Sequence, residues 1–182
     1  MNAFSFIQKL RNKLRITNGT TLILGNKINI VHCTITIKGK NNTLKIGNNT
    51  KLRNTNIEII GNNNTIKIGE NSLIGNFCYL SAKEENITLT IGNNTALSRN
   101  IKVMTSDGHP IYQNNKRINY AKDITINNNI WIADNVTILK GVEIGSNSVI
   151  GINSTVVKNI TSGSVAVGNP CTVIKENIRW EY

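Results

Sequence analysis

A six-residue repeat in residues 126–157 is the feature that most restricts the fold of this chain. A β-branched residue recurs at every sixth position, often followed by a small one, and the repeating positions are Ile126, Ile132, Ile138, Ile144, Ile150 and Val156. This period matches neither the 3.6 residues of a helical turn nor the alternation of a strand. It predicts short strands joined by bends, with coils of about eighteen residues stacked into a parallel β-solenoid.

A looser repeat occupies the first half of the chain. Aliphatic-Gly pairs recur every 22 or 23 residues, at Leu24-Gly25, Ile46-Gly47, Ile68-Gly69 and Ile91-Gly92. The residues before the last three pairs alternate between Thr or Lys and aliphatic side chains, which is typical of a strand. Gly/Asn clusters at 39–42 and 61–64 are interpreted as corner insertions, because both residues adopt the conformations that turns require. The sequence therefore predicts a longer coil here.

The repeat stops at residues 104–123, and loops of this length in a compact domain are usually functional. This loop contains His109, one of two histidines, in the sequence Ser-Asp-Gly-His-Pro. Histidine can accept a proton near neutral pH, so His109 is the first candidate for catalysis. Asp107 could orient the imidazole, help to bind an acceptor, or cap the turn. His32, the other histidine, is predicted to be a partly buried structural residue.

The net charge of +11 favours an anionic cofactor, an anionic glycan or nucleic acid as a ligand. Nucleic acid is disfavoured because no nucleic-acid-binding motif is present and the basic residues look scattered. The three cysteines are widely spaced and predict reduced, buried thiols in a cytoplasmic protein. Two histidines are too few for a three-ligand catalytic zinc site, so no metal is expected. No apolar run is long enough to be an integral membrane segment.

Both ends of the chain depart from the repeat. Residues 1–16 form a basic amphipathic segment with Phe6, Leu10 and Leu14 at helical spacing. They are predicted to be an N-terminal cap on the solenoid, with peripheral attachment at the inner membrane surface as the alternative. The β-helix domain is expected at 17–164, and a C-terminal cap or tail at 165–182.

Three segments resemble the hexapeptide-repeat acyltransferases, in particular the sugar and capsular polysaccharide O-acetyltransferases. They are the Gly-His-Pro loop, the segment WIADNVTI at 131–138, and VGNPCTVIK at 167–175. The resemblance extends from about Asn76 to Lys175. It implies an all-β fold, a left-handed parallel β-helix with a protruding loop, and a homotrimer with active sites between neighbouring solenoids.

The resemblance also implies roles for individual residues. His109 would be the general base that deprotonates an acceptor hydroxyl, which then attacks acetyl-CoA directly in a ternary complex. Asn76 would hold the acceptor or donate to the oxyanion, although asparagine is also a common corner residue in this chain. The positions that line the acetyl-CoA channel in the family correspond here to Trp131, Ala133, Gly151, Ile152, Lys158, Thr172 and Lys175.

The favoured hypothesis is an acetyl-CoA-dependent O-acetyltransferase that modifies a sugar hydroxyl of a cell-surface polysaccharide or its precursor. An N-acetyltransferase acting on an amino sugar nucleotide is the alternative enzyme. A non-catalytic solenoid that binds a surface through rows of threonine is the alternative from another class. The long loop argues against it, because a flat binding face requires uninterrupted coils.

Overall fold

The computed structural model describes residues 4–181, which form a parallel β-solenoid of about seven turns. Its elements in chain order are α1 (Phe6–Arg11), β1 (Lys13–Ile16), β2 (Thr21–Leu24), β3 (Asn29–Val31), β4 (Thr34–Lys38), β5 (Thr43–Ile46), β6 (Lys51–Arg53), β7 (Asn56–Asn62), β8 (Thr65–Ile68), β9 (Leu73–Ile74), β10 (Tyr79–Glu85), β11 (Thr88–Ile91), β12 (Ala96–Leu97), β13 (Lys102–Met104), β14 (Tyr112–Gln113), β15 (Lys116–Arg117), β16 (Ile124–Ile126), β17 (Trp131–Ile132), β18 (Thr137–Leu139), β19 (Glu143–Ile144), β20 (Val149–Ile150), β21 (Thr155–Val156), β22 (Val165–Gly168) and β23 (Cys171–Lys175).

Three sheets form the walls of the solenoid. The first has the order β1-β4-β7-β10-β13-β18-β21, the second β19-β16-β11-β8-β5-β2, and the third β23-β22-β20-β17-β12-β9-β6-β3. Each coil contributes one strand to each sheet in turn, and the pairing between coils is parallel except between β22 and β23. The six-residue repeat sets the register, since Ile132 pairs with Ile150 and Ile138 with Val156. The predicted solenoid is confirmed.

The interior is filled by the repeating aliphatic residues. Ile126, Ile132, Ile138, Ile144 and Ile150 are completely buried, and the aliphatic residues of the earlier coils are buried in the same way. Burying one such side chain contributes roughly 1.5–3 kcal/mol. A single coil cannot enclose its own apolar side chains, so each coil depends on its neighbours.

Asparagines form the corners and bond to each other between coils. Asn41, Asn63 and Asn86 all have a positive φ, which asparagine tolerates better than other residues with a side chain. The Asn41 amide donates to Asn63 Oδ1 at 3.2 Å, and the Asn63 amide donates to Asn86 Oδ1 at 3.1 Å. We call such rows asparagine ladders. Further ladders follow the other corners, joining Asn49 to Asn71, Asn129 to Asn147, and Asn100 to Asn135 and Asn153.

At one corner, two residues other than asparagine adopt the conformation that asparagine adopts elsewhere. His32 and Phe77 have φ of 56° and 62° at the corner between the third and first sheets. His32 is exposed, so the prediction of a partly buried histidine was wrong. The corner positions turn their side chains away from the core, and this explains the error.

The N-terminal segment begins with a short helix whose start is fixed by a capping box. The Ser5 hydroxyl accepts from the Gln8 amide, and the Gln8 side chain accepts from the Ser5 amide. The helix ends at Arg11, and Leu14 lies on β1, so the helical spacing that included Leu14 was misread. The solenoid strands therefore begin at Lys13, inside the segment 1–16 that was predicted to precede them.

The C-terminal segment continues the third sheet and then folds back on it. Strand β22 pairs in parallel with β20, and β23 pairs antiparallel with β22. Beyond β23, the chain returns to the corner between the second and third sheets, where the Ile178 amide donates to the carbonyl oxygen of Gly163 at 2.9 Å.

The cysteines are free and buried, as predicted. Burial raises the pKa of the Cys78 thiol to about 11. Within residues 4–181, no helix combines the length and the apolar character required to span a bilayer.

Candidate functional site

The loop that carries His109 replaces a tight corner between the first and second sheets. It leaves β13 after Met104 and enters β16 at Ile124, in agreement with the predicted bounds 104–123. Its tip is a hairpin of β14 and β15, closed by a hydrogen bond from the Ile118 amide to the Ile111 carbonyl at 2.9 Å. The hairpin gives the long loop a defined shape.

Asn119 holds the two arms of the loop together. Its side chain is largely buried, and its Nδ2 donates to the carbonyl oxygen of His109 and to Asp107 Oδ2, each at 2.8 Å. Its Oδ1 accepts from the Ile111 amide at 2.6 Å. These three bonds fix the backbone on both sides of His109. Sequence reasoning did not single out Asn119, because nothing distinguishes it from the corner asparagines before the loop is folded.

Two ion pairs fasten the loop to the solenoid. Lys140 Nζ donates to Asp107 Oδ2, and this bond lowers the pKa of the Asp107 carboxyl together with the bond from Asn119. Arg117 donates to Glu84 Oε1 at 2.5 Å, and Ser106 Oγ donates to the same oxygen at 2.9 Å. Partial burial raises the pKa of Glu84, but these hydrogen bonds outweigh it, so the pKa is lowered overall. Both carboxylates therefore remain charged at neutral pH.

Asp107 does not contact the imidazole of His109. Its carboxylate is engaged by Lys140 and Asn119, and it makes no hydrogen bond to the imidazole in the described part of the chain. It positions the loop backbone. The His109 side chain is exposed, and its ring nitrogens have no partner among residues 4–181. An imidazole on a fixed backbone with free nitrogens can accept a proton from an incoming hydroxyl.

Trp131 lies on the outer face of the third sheet, next to the inward-facing Ile132. It is 42% exposed, and its Nε1 donates to Ser98 Oγ at 3.2 Å. The C-terminal segment places Trp180 beside it, with the ring centroids 6.3 Å apart. Trp180 is held in turn by a bond from its Nε1 to the carbonyl oxygen of Asn129 at 2.8 Å.

The two tryptophans border an apolar pocket of about 310 Å³ on the third sheet. Its walls also include Leu73, Ala96, Leu97, Ser98 and Glu181. Sequence reasoning treated the tail as a cap and missed Trp180. One of the chain's two tryptophans lies in the tail, and this could have indicated that the tail contributes to the site.

Most of the other positions implied for a cofactor lie on the same side of the solenoid. Ala133 and Gly151 lie in one column at the end of the third sheet, where a Cβ on Gly151 would come within 2.4 Å of Val167 Cγ1. Thr172 and Lys175 are exposed on β23 of the same sheet, and Ile152 is 59% exposed at the adjoining corner. Close packing against Val167 therefore favours glycine at position 151, independently of any role in binding a cofactor.

Lys158 is separate from this group within one chain. It follows β21 of the first sheet, so it lies at the corner that carries the His109 loop in another coil. In one chain, therefore, His109 and Lys158 share one corner, whereas Trp131 and its neighbours occupy the third sheet. The site residues predicted from sequence are not brought together by a single chain.

Asn76 lies at the third corner, between the third and first sheets, and is half-buried. Its side-chain amide has no hydrogen-bond partner among the residues that the structure covers. It borders a groove of about 610 Å³ on the N-terminal half of the third sheet, whose basic residues are Lys51, Arg53 and Arg99. Asp134 neutralises Arg99 through bonds of 3.0 and 2.6 Å, so Lys51 and Arg53 supply the positive charge of this groove.

No protein-family profile matches this chain. A polysialic acid O-acetyltransferase of Escherichia coli O1:K1 / APEC is 54% identical over 86 residues, which are 46% of this chain and 28% of that protein. A polysialic acid O-acetyltransferase of Neisseria meningitidis is 47% identical over 47 residues, 25% of this chain and 22% of that protein. The chain thus matches about a quarter of the length of these curated relatives.

A solved structure matches over a much larger extent. The crystal structure of the polySia-specific acetyltransferase NeuO is 30% identical, covers 96% of this chain and 90% of that chain, and superposes with a TM-score of 0.80. Similarity in sequence over nearly the whole of a solved relative, together with the shared solenoid, shows that this chain belongs to the hexapeptide-repeat O-acetyltransferase family, whose fold is the left-handed parallel β-helix.

Proposed function

We propose that this protein transfers an acetyl group from acetyl-CoA to a hydroxyl of an anionic polysaccharide, with His109 as the general base. The proposal rests on the fixed backbone and the accessible side chain of His109. Its backbone is fixed by Asn119, and both ring nitrogens are open to an acceptor. The role that the resemblance implies for this histidine suggests the reaction. The imidazole removes the hydroxyl proton, the alkoxide attacks the thioester carbonyl, and the CoA thiolate leaves.

The donor is proposed to lie along the third sheet. Trp131, Ala133 and Gly151 offer an apolar wall with small residues, and Thr172 and Lys175 lie on β23 of the same sheet. The exposed ammonium of Lys175 can meet a CoA phosphate as a point charge. Burial of the pantetheine arm against Trp131 would align the thioester with the attacking hydroxyl.

The complete site is proposed to form between two chains of a homotrimer. His109 and Trp131 lie on different walls of one solenoid, so neither can complete the site of its own chain. A neighbouring solenoid that presents its third sheet to the loop would join them. Lys158, which shares the corner of His109, would then approach the CoA bound to the neighbouring chain. A closed ring of three head-to-tail contacts provides three such sites.

The acceptor class is proposed from the relatives and from charge. The curated relatives act on polysialic acid, in which every residue carries a carboxylate. This chain has a net charge of +11, and the free amide of Asn76 borders a groove that contains Lys51 and Arg53. An electropositive surface of this kind attracts a polyanionic chain and raises its local concentration.

The central test is thiol release from acetyl-CoA by His109→Ala with polysialic acid as the acceptor. We expect kcat to fall by about 10² or more, with unchanged oligomer mass and thermal stability. Gln113→Ala, an exposed substitution in the same loop, is the control and should retain activity. Near-normal turnover by His109→Ala would refute the mechanism, and transfer to amino sugar nucleotides alone would refute the acceptor class.

The two-chain site has its own test. His109→Ala and Trp131→Ala chains, each inactive alone, are co-assembled in equal amounts with two affinity tags. If each site takes its histidine and its tryptophan from different chains, random mixing restores about a quarter of all sites, and about one site in three in trimers purified through both tags. If both residues come from one chain, the mixed protein stays as inactive as the single variants.

A further inference from the structure

The N-terminal helix holds an apolar surface outward. Phe6, Ile7 and Leu10 are 76%, 58% and 71% exposed, and they lie on one side of α1. The segment is nevertheless firmly attached. Phe4 is buried in the end of the core, and Asn12 accepts from the Cys33 amide and donates to the Ile30 carbonyl, each at 2.8 Å. We call Phe6, Ile7 and Leu10 the helix patch. Large apolar side chains grouped on a fixed surface mark an interaction site.

Charge is distributed very unevenly along the solenoid. Residues 1–57 contain ten Lys and Arg and no Asp or Glu, whereas residues 58–182 contain eleven of the former and ten of the latter. The basic residues looked scattered in the sequence, but the acidic residues are missing from the first coils. In the described chain, every ion pair joins residues beyond position 57. The cations of α1 and β1 therefore form no ion pair within the described chain.

Four of these cations immediately adjoin the helix patch. Lys9 and Arg11 belong to α1, Lys13 and Arg15 belong to β1, and all four are exposed. Beside the helix, an open cavity of about 540 Å³ extends the apolar surface to Leu14, Ile16 and Leu22. The end of the solenoid thus combines apolar side chains with a cluster of four cations on α1 and β1.

We propose that this end of the protein binds an anionic lipid surface. The helix patch would enter the boundary between headgroups and acyl chains, and the four cations would meet the lipid phosphates. A second copy of the chain fits the same surface poorly, because it would bring two sets of unpaired cations together. A soluble polyanion would satisfy the charge but leave the helix patch in water. Of these three occupants, a lipid surface is the one that accommodates both features.

The test is co-flotation of the purified protein with vesicles. Wild type should bind vesicles of phosphatidylglycerol and phosphatidylcholine, bind pure phosphatidylcholine weakly, and dissociate at high salt. Lys9→Gln/Arg11→Gln should weaken binding about 25-fold, since each cation near an anionic surface contributes about fivefold. Phe6→Ser/Leu10→Ser should weaken it by about tenfold or more at unchanged charge.

Two matched control variants distinguish binding through this surface from nonspecific binding of the protein to vesicles. Tyr112→Ser/Ile118→Ser removes two exposed apolar side chains elsewhere, and Lys67→Gln/Lys102→Gln removes two exposed cations elsewhere. Both should bind like wild type, and thermal unfolding should verify that every variant is folded.

Three results would overturn the proposal. The first is failure of wild type to bind the anionic vesicles. The second is equal binding by Phe6→Ser/Leu10→Ser and wild type, which would reduce the interaction to charge alone. The third is a smaller oligomer for Phe6→Ser/Leu10→Ser, which would identify the helix patch as a contact between copies.

Discussion

Replacing Asn119 by alanine should release the His109 loop while leaving the solenoid folded. The substitution removes the bonds to the Ile111 amide, the His109 carbonyl and the Asp107 carboxylate. A neutral hydrogen bond contributes about 1 kcal/mol net, and a bond to a charged group about 1.5–3 kcal/mol. The closed loop should therefore lose about 3.5–5 kcal/mol. Because 1.4 kcal/mol corresponds to a factor of ten, the open fraction should rise by about 300-fold to about 4,000-fold.

Hydrogen–deuterium exchange followed by mass spectrometry measures this directly. Peptides that cover 105–123 should exchange faster in Asn119→Ala, whereas peptides from the buried strands should be unaffected. Acetyl transfer should fall as well, since His109, the proposed base, spends less time in place. Gln113→Ala is the control for an amide lost from an exposed position of the same hairpin, and should change neither quantity. If the loop of Asn119→Ala exchanges at the wild-type rate, the hydrogen bonds of Asn119 do not hold His109 in place.

Three further predictions concern cysteine reactivity, pH and backbone strain. Since burial raises the pKa of all three thiols, and that of Cys78 to about 11, all three should resist iodoacetamide at pH 8 in the native protein and react on denaturation, as counted by mass spectrometry. Because the pKa values of Glu84 and Asp107 are lowered, loop anchoring should be complete at neutral pH and be lost as the pH falls through these lowered values. Residues 105–123 should then become accessible to pepsin, and resistance down to about pH 2 would contradict this. Phe77→Asn should stabilise the protein by about 1 kcal/mol in urea unfolding, since a left-handed conformation suits asparagine better than phenylalanine.

The solenoid could be predicted from sequence because its constraints are local and repeated. A buried isoleucine every six residues leaves one arrangement in which all of them face the same interior. The strand register follows directly from the repeat, as the pairing of Ile132 with Ile150 shows. The corners could also be predicted, because asparagine and glycine occur where the backbone must adopt a turn conformation.

The candidate site was less predictable because its contacts join distant parts of the chain. Asn119 bonds to Asp107 and to the His109 backbone, and Lys140 reaches the loop from a later coil. Trp180 reaches Trp131 only because the tail folds back after β23. None of these pairings has a sequence spacing that reveals it. The exposed position of His32 was also missed, since corner geometry and not residue type determines its burial.

The asparagine ladders have a mechanical consequence. Each amide in a ladder is bonded to the equivalent residue of the next coil, from Asn41 through Asn63 to Asn86 and similarly at the other corners. A coil that slides or tilts must break these bonds together with the strand pairing on all three walls. The solenoid therefore resists shear and behaves as a stiff rod. The third sheet, along which the donor is proposed to bind, is therefore a rigid surface, and motion that accompanies binding and release is expected outside the stacked coils, in the His109 loop and the C-terminal segment.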